Sequence, residues 1–514
     1  MAGSMMRISN WGTRETAAGR EVSAEIDGFR LWFRFPSDLP FSPSGDPFLA
    51  AALLPAMAAS EGLEVDPTLP VSPKLLAGVA VLQRIHHAWN PALRVVPVRA
   101  RTASAGSSHP GAMSFFSGGV DSTFTFLKRR REITHLVHVH GFDFYTHSDG
   151  TDTFSVDDIS NLSQLAHQVI KPWGEVAAFI KAELAAPTLQ ALSTFVESGR
   201  EPEELERALT ADLNRILRRG SIYEGRRFAK VGLRAQTQML LQRAGELPDT
   251  TALNRLLLED AFPLEIAKQD DRPHMTAVAR NAAFAKGCGK TLVPVTTNHY
   301  PFGYRYNLSR NLTQGSALAS VALLLGFARA YIPAAYAYNQ LIPLGSHPLT
   351  DPLWSTETVQ VVHDGAEARR VDKVVRIAAD PAALANLRVC FESLNDNCGS
   401  CAKCLRTAIP LALIGAVDAP FPRGSFSTLG RHLKVSGHIE RIFFLENYEL
   451  SQREDKAGLK KALRAALRRS DRRALLRDID RVVFGGRLKR SSRRWQTDAP
   501  WLRRIDTTPG DGGP

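Results

Sequence analysis

The chain is short of cysteine: there are five in 514 residues, four of them crowded between Cys390 and Cys404 and only Cys288 apart. Thiols spaced that way do not make a disulfide framework, and without a secretion signal they point to a bound metal. No charged-then-apolar stretch opens the sequence, so no signal peptide is evident and a cytoplasmic location is expected. A membrane span needs about 20 uninterrupted apolar residues, and none is present. The most apolar window, Ala317 to Ala337, is broken by Arg329 and Pro333 and reads as a buried helix followed by a strand. The glycine-rich stretch at Ser117–Ser122 lacks the Gly-Lys-Ser/Thr ending, at a longer spacing, of a Walker phosphate loop, and no glutaminase pattern is visible. The first hundred residues carry no catalytic constellation. His86 and His87 are adjacent on an expected helix and therefore face apart, which suits packing better than ligation.

What is present is long enough for two or three domains. The formal charge is +12, and nearly all the excess falls in one segment: residues 451–500 hold 16 Lys/Arg against 6 Asp/Glu. The body of the chain is close to neutral. The basic segment reads either as a solvated helix face or as a surface for RNA, DNA or an acidic partner.

The chain is organised around Ser114 to Thr123. An apolar run from Ala112 to Phe116 reads as a buried strand, and Ser117-Gly118-Gly119-Val120-Asp121-Ser122 then makes a tight turn into a helix. Gly118 and Gly119 allow backbone angles closed to other residues and leave room for a ligand. Free N–H groups at the helix start, with the positive end of its dipole, suit phosphate. The hydroxyls of Ser117 and Ser122 can add hydrogen bonds, and Asp121 is placed to hold a magnesium ion bridging phosphate oxygens. A plain glycine turn is the alternative.

Residues 1–105 form an expected N-terminal α+β unit. Val22 to Phe35 alternates around Asp27-Gly28, a hairpin signal. Pro36 to Pro47 reads as a loop, Ser72-Pro73 as the cap and first turn of a helix, and Leu93 to Val98 as another strand. From Gly111 the pattern alternates strand and helix, as in a parallel α/β sheet, and residues 106–425 are expected to form one such domain. Strand ends at Gly118–Ser122, Gly141–Asp143 and Thr297-Asn298 should meet in one crevice, which makes Gly141, Asp143 and Asn298 candidate binding residues. Residues 146–272 read as a helical insertion over that crevice, either a lid or partner-docking module or a structural bulge. The Pro-rich loop Gly345 to Glu357 is dense in hydrogen-bonding side chains, as functional loops often are. A helix opening at Arg369-Arg370-Val371-Asp372-Lys373 puts a lysine against the helix dipole, which is tolerable beside an anion. Residues 426–514 are expected as a basic helical region.

Cys390, Cys398, Cys401 and Cys404 suit a closed tetrahedral zinc site that is structural, with an iron–sulfur cluster or a redox dithiol as rivals.

The order Ser-Gly-Gly-x-Asp-Ser resembles the pyrophosphate loop of the PP-loop ATP pyrophosphatases. Together with a Lys-containing helix start and a Cys-x7-Cys-x2-Cys-x2-Cys cluster, it is similar to the 7-cyano-7-deazaguanine synthase family. The resemblance covers roughly residues 111–145 and 273–415. It implies an adenine-nucleotide α-hydrolase type of sheet, with ATP, magnesium and zinc as cofactors. It also implies cleavage of ATP between its α- and β-phosphates, with Asp121, Ser122 and Lys373 as catalytic candidates. A carboxylate, on a small molecule or a modified protein, would be adenylated and then attacked by ammonia or an amine. That family is about half this length, and its Tyr-Gly-Gln-Arg-His signature is replaced here by Val-His-Gly-Phe-Asp-Phe. Longer relatives of the Qat anti-phage type are also similar. Sulfur transfer to tRNA, with Cys288 as nucleophile, and a nucleotide-binding role within a complex are the alternatives.

Overall fold

The computed structural model describes residues 4–141 except 42 and 104–107, positions 190 and 194, and 272–483 except 300–301, 304–305, 307, 309, 391–395, 417–418, 423–434, 436–437 and 455–456. The expected insertion therefore lies outside the described residues but for those two positions and the first residue of a helix. Asp143 lies outside them altogether.

One ten-stranded sheet, mostly parallel, carries the fold. Its parallel half contains β6 (His109–Phe115), β7 (Ile133–His140), β8 (Thr291–Thr297), β9 (Phe327–Pro333) and β10 (Gln360–Asp364). They lie in the order β10-β9-β6-β7-β8. Numbered along the chain this is a doubly wound 3-2-1-4-5 arrangement, whose crossovers diverge between β6 and β9. Helices α3 (Val120–Arg129), α4 (Arg272–Gly287) and α6 (Arg370–Ala378) cover one face. There Phe116 stacks on Phe284 with ring centroids 5.4 Å apart, and Phe126 meets both edge-on.

The other half of the sheet is β1 (Met5–Thr16), β2 (Gly19–Ile26), β3 (Phe29–Phe35), β4 (Gly62–Val65) and β5 (Val98–Arg99). The expected hairpin is present. Asp27 and Gly28 both take positive φ, as a two-residue turn that follows strand twist requires. The N-terminal unit does not stand apart, because β3 joins β8 antiparallel through Phe33–Thr297 and Arg34–Thr296. One apolar core crosses the join and contains Leu31, Phe33 and Phe35 with Val293, Val295, Phe115 and Ile332.

Two helices close this core. α1 (Asp46–Ala59) is buried on nearly every side and packs on α5 (Arg310–Leu325), buried almost throughout. A helix apolar all round belongs inside a large core, and α1 has no periodic stripe to reveal it in the sequence. α2 (Pro73–Trp89) starts as expected, with Ser72 Oγ accepting from Leu75 N at 3.0 Å. Of the strand expected over Leu93–Val98, only Val98 pairs, with Leu63. The Pro-rich loop fastens the halves together. Glu357 accepts from Ser72 Oγ at 2.6 Å and from Lys74 N at 2.9 Å, and Asp351 accepts from Ser346 Oγ at 2.8 Å and pairs with His363.

After β10 and α6 come α7 (Pro381–Asn386), α8 (Ala402–Leu413), α9 (His438–Leu450) and α10 (Ala457–Val483). The last three bury Leu405, Ile409, Phe444, Leu463 and Leu467 together, so the described part of the basic region packs onto the body. Lys461, Arg464, Arg468 and Arg472 line the exposed side of α10. No helix among the described residues is long and apolar enough to cross a membrane.

The contact of α5 with the Pro-rich loop is made glycine to glycine: a Cβ on Gly315 would lie 2.0 Å from the Gly345 carbonyl oxygen. Backbone cannot yield as a side-chain tip can, so Gly315→Ala should cost at least about 1–3 kcal/mol. Thermal melting should show a clear fall in Tm. An unchanged Tm would contradict this packing.

Candidate functional site

β6 delivers the chain to the divergence point of the sheet, where doubly wound folds bind ligands. Phe116 N still bonds Val137 O at 2.8 Å, and the backbone then turns through Gly118 at φ +77°. A Cβ at Gly118 would meet Asn281 Oδ1 at 2.9 Å, so glycine is required there twice over. Gly119 is the N-cap of α3 and has no side chain to offer. The N–H of Thr123 reaches Gly119 O, whereas those of Val120, Asp121 and Ser122 have no acceptor among the described residues. These are the orphan donors of a helix start, and they share one side of the turn. Both serines hold its shape: Ser122 Oγ donates to Gly119 O at 3.1 Å and accepts from Ser117 N, while Ser117 Oγ accepts from Gly119 N at 3.3 Å. Behind the turn, Arg388 N donates to Gly118 O at 2.8 Å and Asn386 Nδ2 to Asn281 Oδ1 at 3.2 Å.

The Asp121 carboxylate lies in a cluster of cations. Its Oδ1 lies 3.1 Å from Lys373 Nζ, and its Oδ2 3.1 Å from Arg370 Nη1. Burial opposes ionisation of this carboxyl, but Lys373 and then Arg370 outweigh it and hold the pKa below the usual value. Lys373, itself fully buried, also donates to the Ala334 carbonyl at the end of β9, at 2.6 Å. The lysine that opposes the dipole of α6 is thus matched by an anion, which is Asp121. Arg370 extends to Thr407 Oγ1 on α8 at 3.5 Å. Arg406, next to Thr407, lies over the Phe443 ring at 4.4 Å. Tyr336 stacks on the same ring, with centroids 5.8 Å apart. Burial pushes the Tyr336 phenol up to about 12 and Arg406 down to about 9.

Asp121 does not fit the expected magnesium ligand. Both of its oxygens are paired with cations, and a third cation stands close by, so the surroundings disfavour a divalent ion. Asn298 is also differently used: its Oδ1 accepts from Trp32 N and its Nδ2 donates to Arg30 O, which stitches β8 to β3. Gly141, at φ +102°, directly follows the last residue of β7. Arg370, Arg406, Tyr336 and Phe443 were not singled out as site residues from sequence. Only Arg370 had a signal, its place beside Lys373.

The four expected cysteines do converge. Every pair of sulfurs among Cys390, Cys398, Cys401 and Cys404 lies within 4.8 Å, and Cys390–Cys401 and Cys398–Cys404 are each at 3.9 Å. Zinc–sulfur bonds of about 2.3 Å set tetrahedral edges of about 3.8 Å. Backbone N–H groups of Ser400 and Cys401 point at Cys398 Sγ, helped by Gly399 at φ +71°, and Cys404 N points at Cys401 Sγ. Such donors stabilise thiolates. The cluster could therefore hold a metal such as zinc. It is joined to the turn on two sides. The segment before Cys390 carries Arg388, and Cys401 is the N-cap of α8, which carries Arg406 and Thr407. Cys288 lies outside the cluster, at the end of α4, with its thiol pKa raised by burial.

Fold and site together define a doubly wound α/β protein with a phosphate-suited helix start at its divergence point and a four-cysteine cluster competent for metal. No protein-family model, curated protein or solved structure matches the chain.

Elemental analysis should find about one metal ion per chain, and Cys401→Ser should lose it and lower Tm. Four cluster thiols that react freely in the folded, metal-free protein would contradict the reading.

Proposed function

We propose that this chain is an ATP-dependent ligase of the PP-loop type. It activates a carboxylate by adenylation at Ser117–Ser122 and passes it to ammonia or an amine. A carboxylate oxygen attacks the α-phosphorus, the bond to the bridging oxygen breaks, and pyrophosphate leaves. The amine lone pair then attacks the acyl carbon and AMP departs, with a proton lost to solvent. The observation that carries this reading is the turn itself: three orphan N–H groups at a helix start, at the divergence point, beside an ionised Asp121 held by Lys373. The N–H groups meet the charge that develops on the phosphoryl oxygens. Ser117 and Ser122 keep the turn in that shape, and Lys373 has one N–H beyond those used on Asp121 and Ala334. Asp121 acts by positioning Lys373 and Arg370. No step is assigned to a magnesium ion on Asp121. Zinc is the metal the four thiolates suit best, in a structural role.

A nucleic-acid substrate is the second reading, and the exposed row Lys461, Arg464, Arg468 and Arg472 favours it. Sulfur transfer is a poor form of it. Cys288 precedes β8, at the end of the parallel strands opposite the turn, and its raised pKa opposes a reactive thiolate.

The test is product identity with a panel of carboxylic acids, carboxy-deazaguanine among them. AMP and pyrophosphate are expected from ATP, with Asp121→Ala slowing their release by about 10²-fold or more. ADP and orthophosphate as products would overturn the reaction class.

A further inference from the structure

Arg406 shows no hydrogen bond or ion pair to any acceptor among the described residues. Its Nε is sealed from solvent without a hydrogen-bond partner, and no carboxylate lies within ion-pair distance of it among the described residues. The Phe443 ring lies against its guanidinium face. Neighbouring Arg370 spends Nη1 on Asp121 and Nη2 on Thr407, which leaves its own Nε buried and unpartnered. Lys373 is the third cation, and among the described residues Asp121 is the one carboxylate in an ion pair with these groups. Glu446 is committed elsewhere, to Val371 N and Gln340 Nε2, and Tyr336 is neutral. Arg370 faces Arg406 as a like charge, and Asp121, Tyr336 and Glu440 oppose it. Desolvated guanidinium groups without acceptors are costly. Two guanidinium groups, each with its Nε unpartnered and with one paired carboxylate between them and the Lys373 ammonium among the described residues, leave a positive excess that an anion would relieve. The Asp121 side chain is 26% exposed, so the cluster is not sealed from solvent.

We propose that Arg406 and Arg370 form a subsite for a pyrophosphate group, either the β,γ end of ATP or free pyrophosphate. The proposal deepens the ATP reading above and rests on it. Guanidinium groups suit this ligand, because their forked donors match phosphate oxygens two at a time. Arg406 is presented by α8, whose N-cap is Cys401, so the four-cysteine cluster sets the height at which it stands. The metal centre thereby positions a ligand-binding residue as well as pinning the chain.

Calorimetric titration of the full metal-loaded chain with inorganic pyrophosphate, α,β-methylene-ATP and AMP tests this. Arg406→Gln should weaken pyrophosphate and α,β-methylene-ATP at least tenfold and leave AMP unchanged. The metal content should stay as in the parent protein. Removing a repelled cation should leave the ligand-free Tm unchanged or raised, while the rise in Tm on adding pyrophosphate shrinks. Weakening of α,β-methylene-ATP alone assigns the subsite to nucleotide, and weakening of both assigns it to the leaving group as well. Unchanged affinity for both pyrophosphate and α,β-methylene-ATP would overturn the subsite. So would equal weakening of AMP with a lower ligand-free Tm, which is the mark of a structural arginine. Should ATP yield ADP while Arg406→Gln still loses pyrophosphate, the subsite stands and only the adenylation reading fails.

Discussion

The ion pairs of Asp121 with Lys373 and Arg370 lock together helix starts whose flanks already share the apolar core of Phe124, Leu127, Val374 and Ile377. Asp121 is in the first turn of α3, its two partners are in the first turn of α6, and Lys373 reaches back to β9 through Ala334 O. Arg370 carries the connection on to α8 through Thr407. Breaking a buried pair by removing one partner costs about 3–5 kcal/mol, because a charge is stranded. Lys373, 1% exposed, would be such a charge. The pairing therefore fixes two helix starts against each other at the divergence point of the sheet. The orphan N–H groups of α3 and the cations of α6 and α8 become parts of one place.

The N-terminal half serves that place from a distance. A parallel sheet ending at β8 would expose an unpaired edge, and such edges invite pairing with other chains. β3 covers it, and the side chain of Asn298 bonds the backbone of β3 on both sides of Leu31. Thr297 Oγ1 adds a bond to Trp32 O at 2.8 Å. The same strand face feeds Phe33 and Phe35 into the core with Val293 and Val295. The two halves therefore share one core.

Much of this was legible in the sequence where local chemistry decides. The glycine turn after an apolar strand, the Asp27-Gly28 hairpin, the Ser72 cap and the cysteine spacing each act over a few residues, and each appears where its spacing puts it. Long-range pairing was not legible. Nothing in Thr296 or Arg34 announces that β8 and β3 lie side by side, so an apparent unit boundary near residue 105 falls inside one sheet. α1 lacked a stripe because it is buried all round. Asp121 looked like a metal ligand because a motif names an acid and not its neighbours. Its cations come from about 250 residues further along the chain. Arg406 and Phe443 were invisible for the same reason, since each gains meaning only when α8 and α9 fold back over α6.

The central claim is that Asp121 and Lys373 act as one unit, and a double-mutant cycle on thermal stability measures it directly. Asp121→Asn and Lys373→Met should each destabilise the chain. The double variant should lose less than the sum of the singles, with a coupling of about 1–3 kcal/mol. Additive losses within about 0.5 kcal/mol would mean that the pair does not hold the site together, and the account would fail at its base.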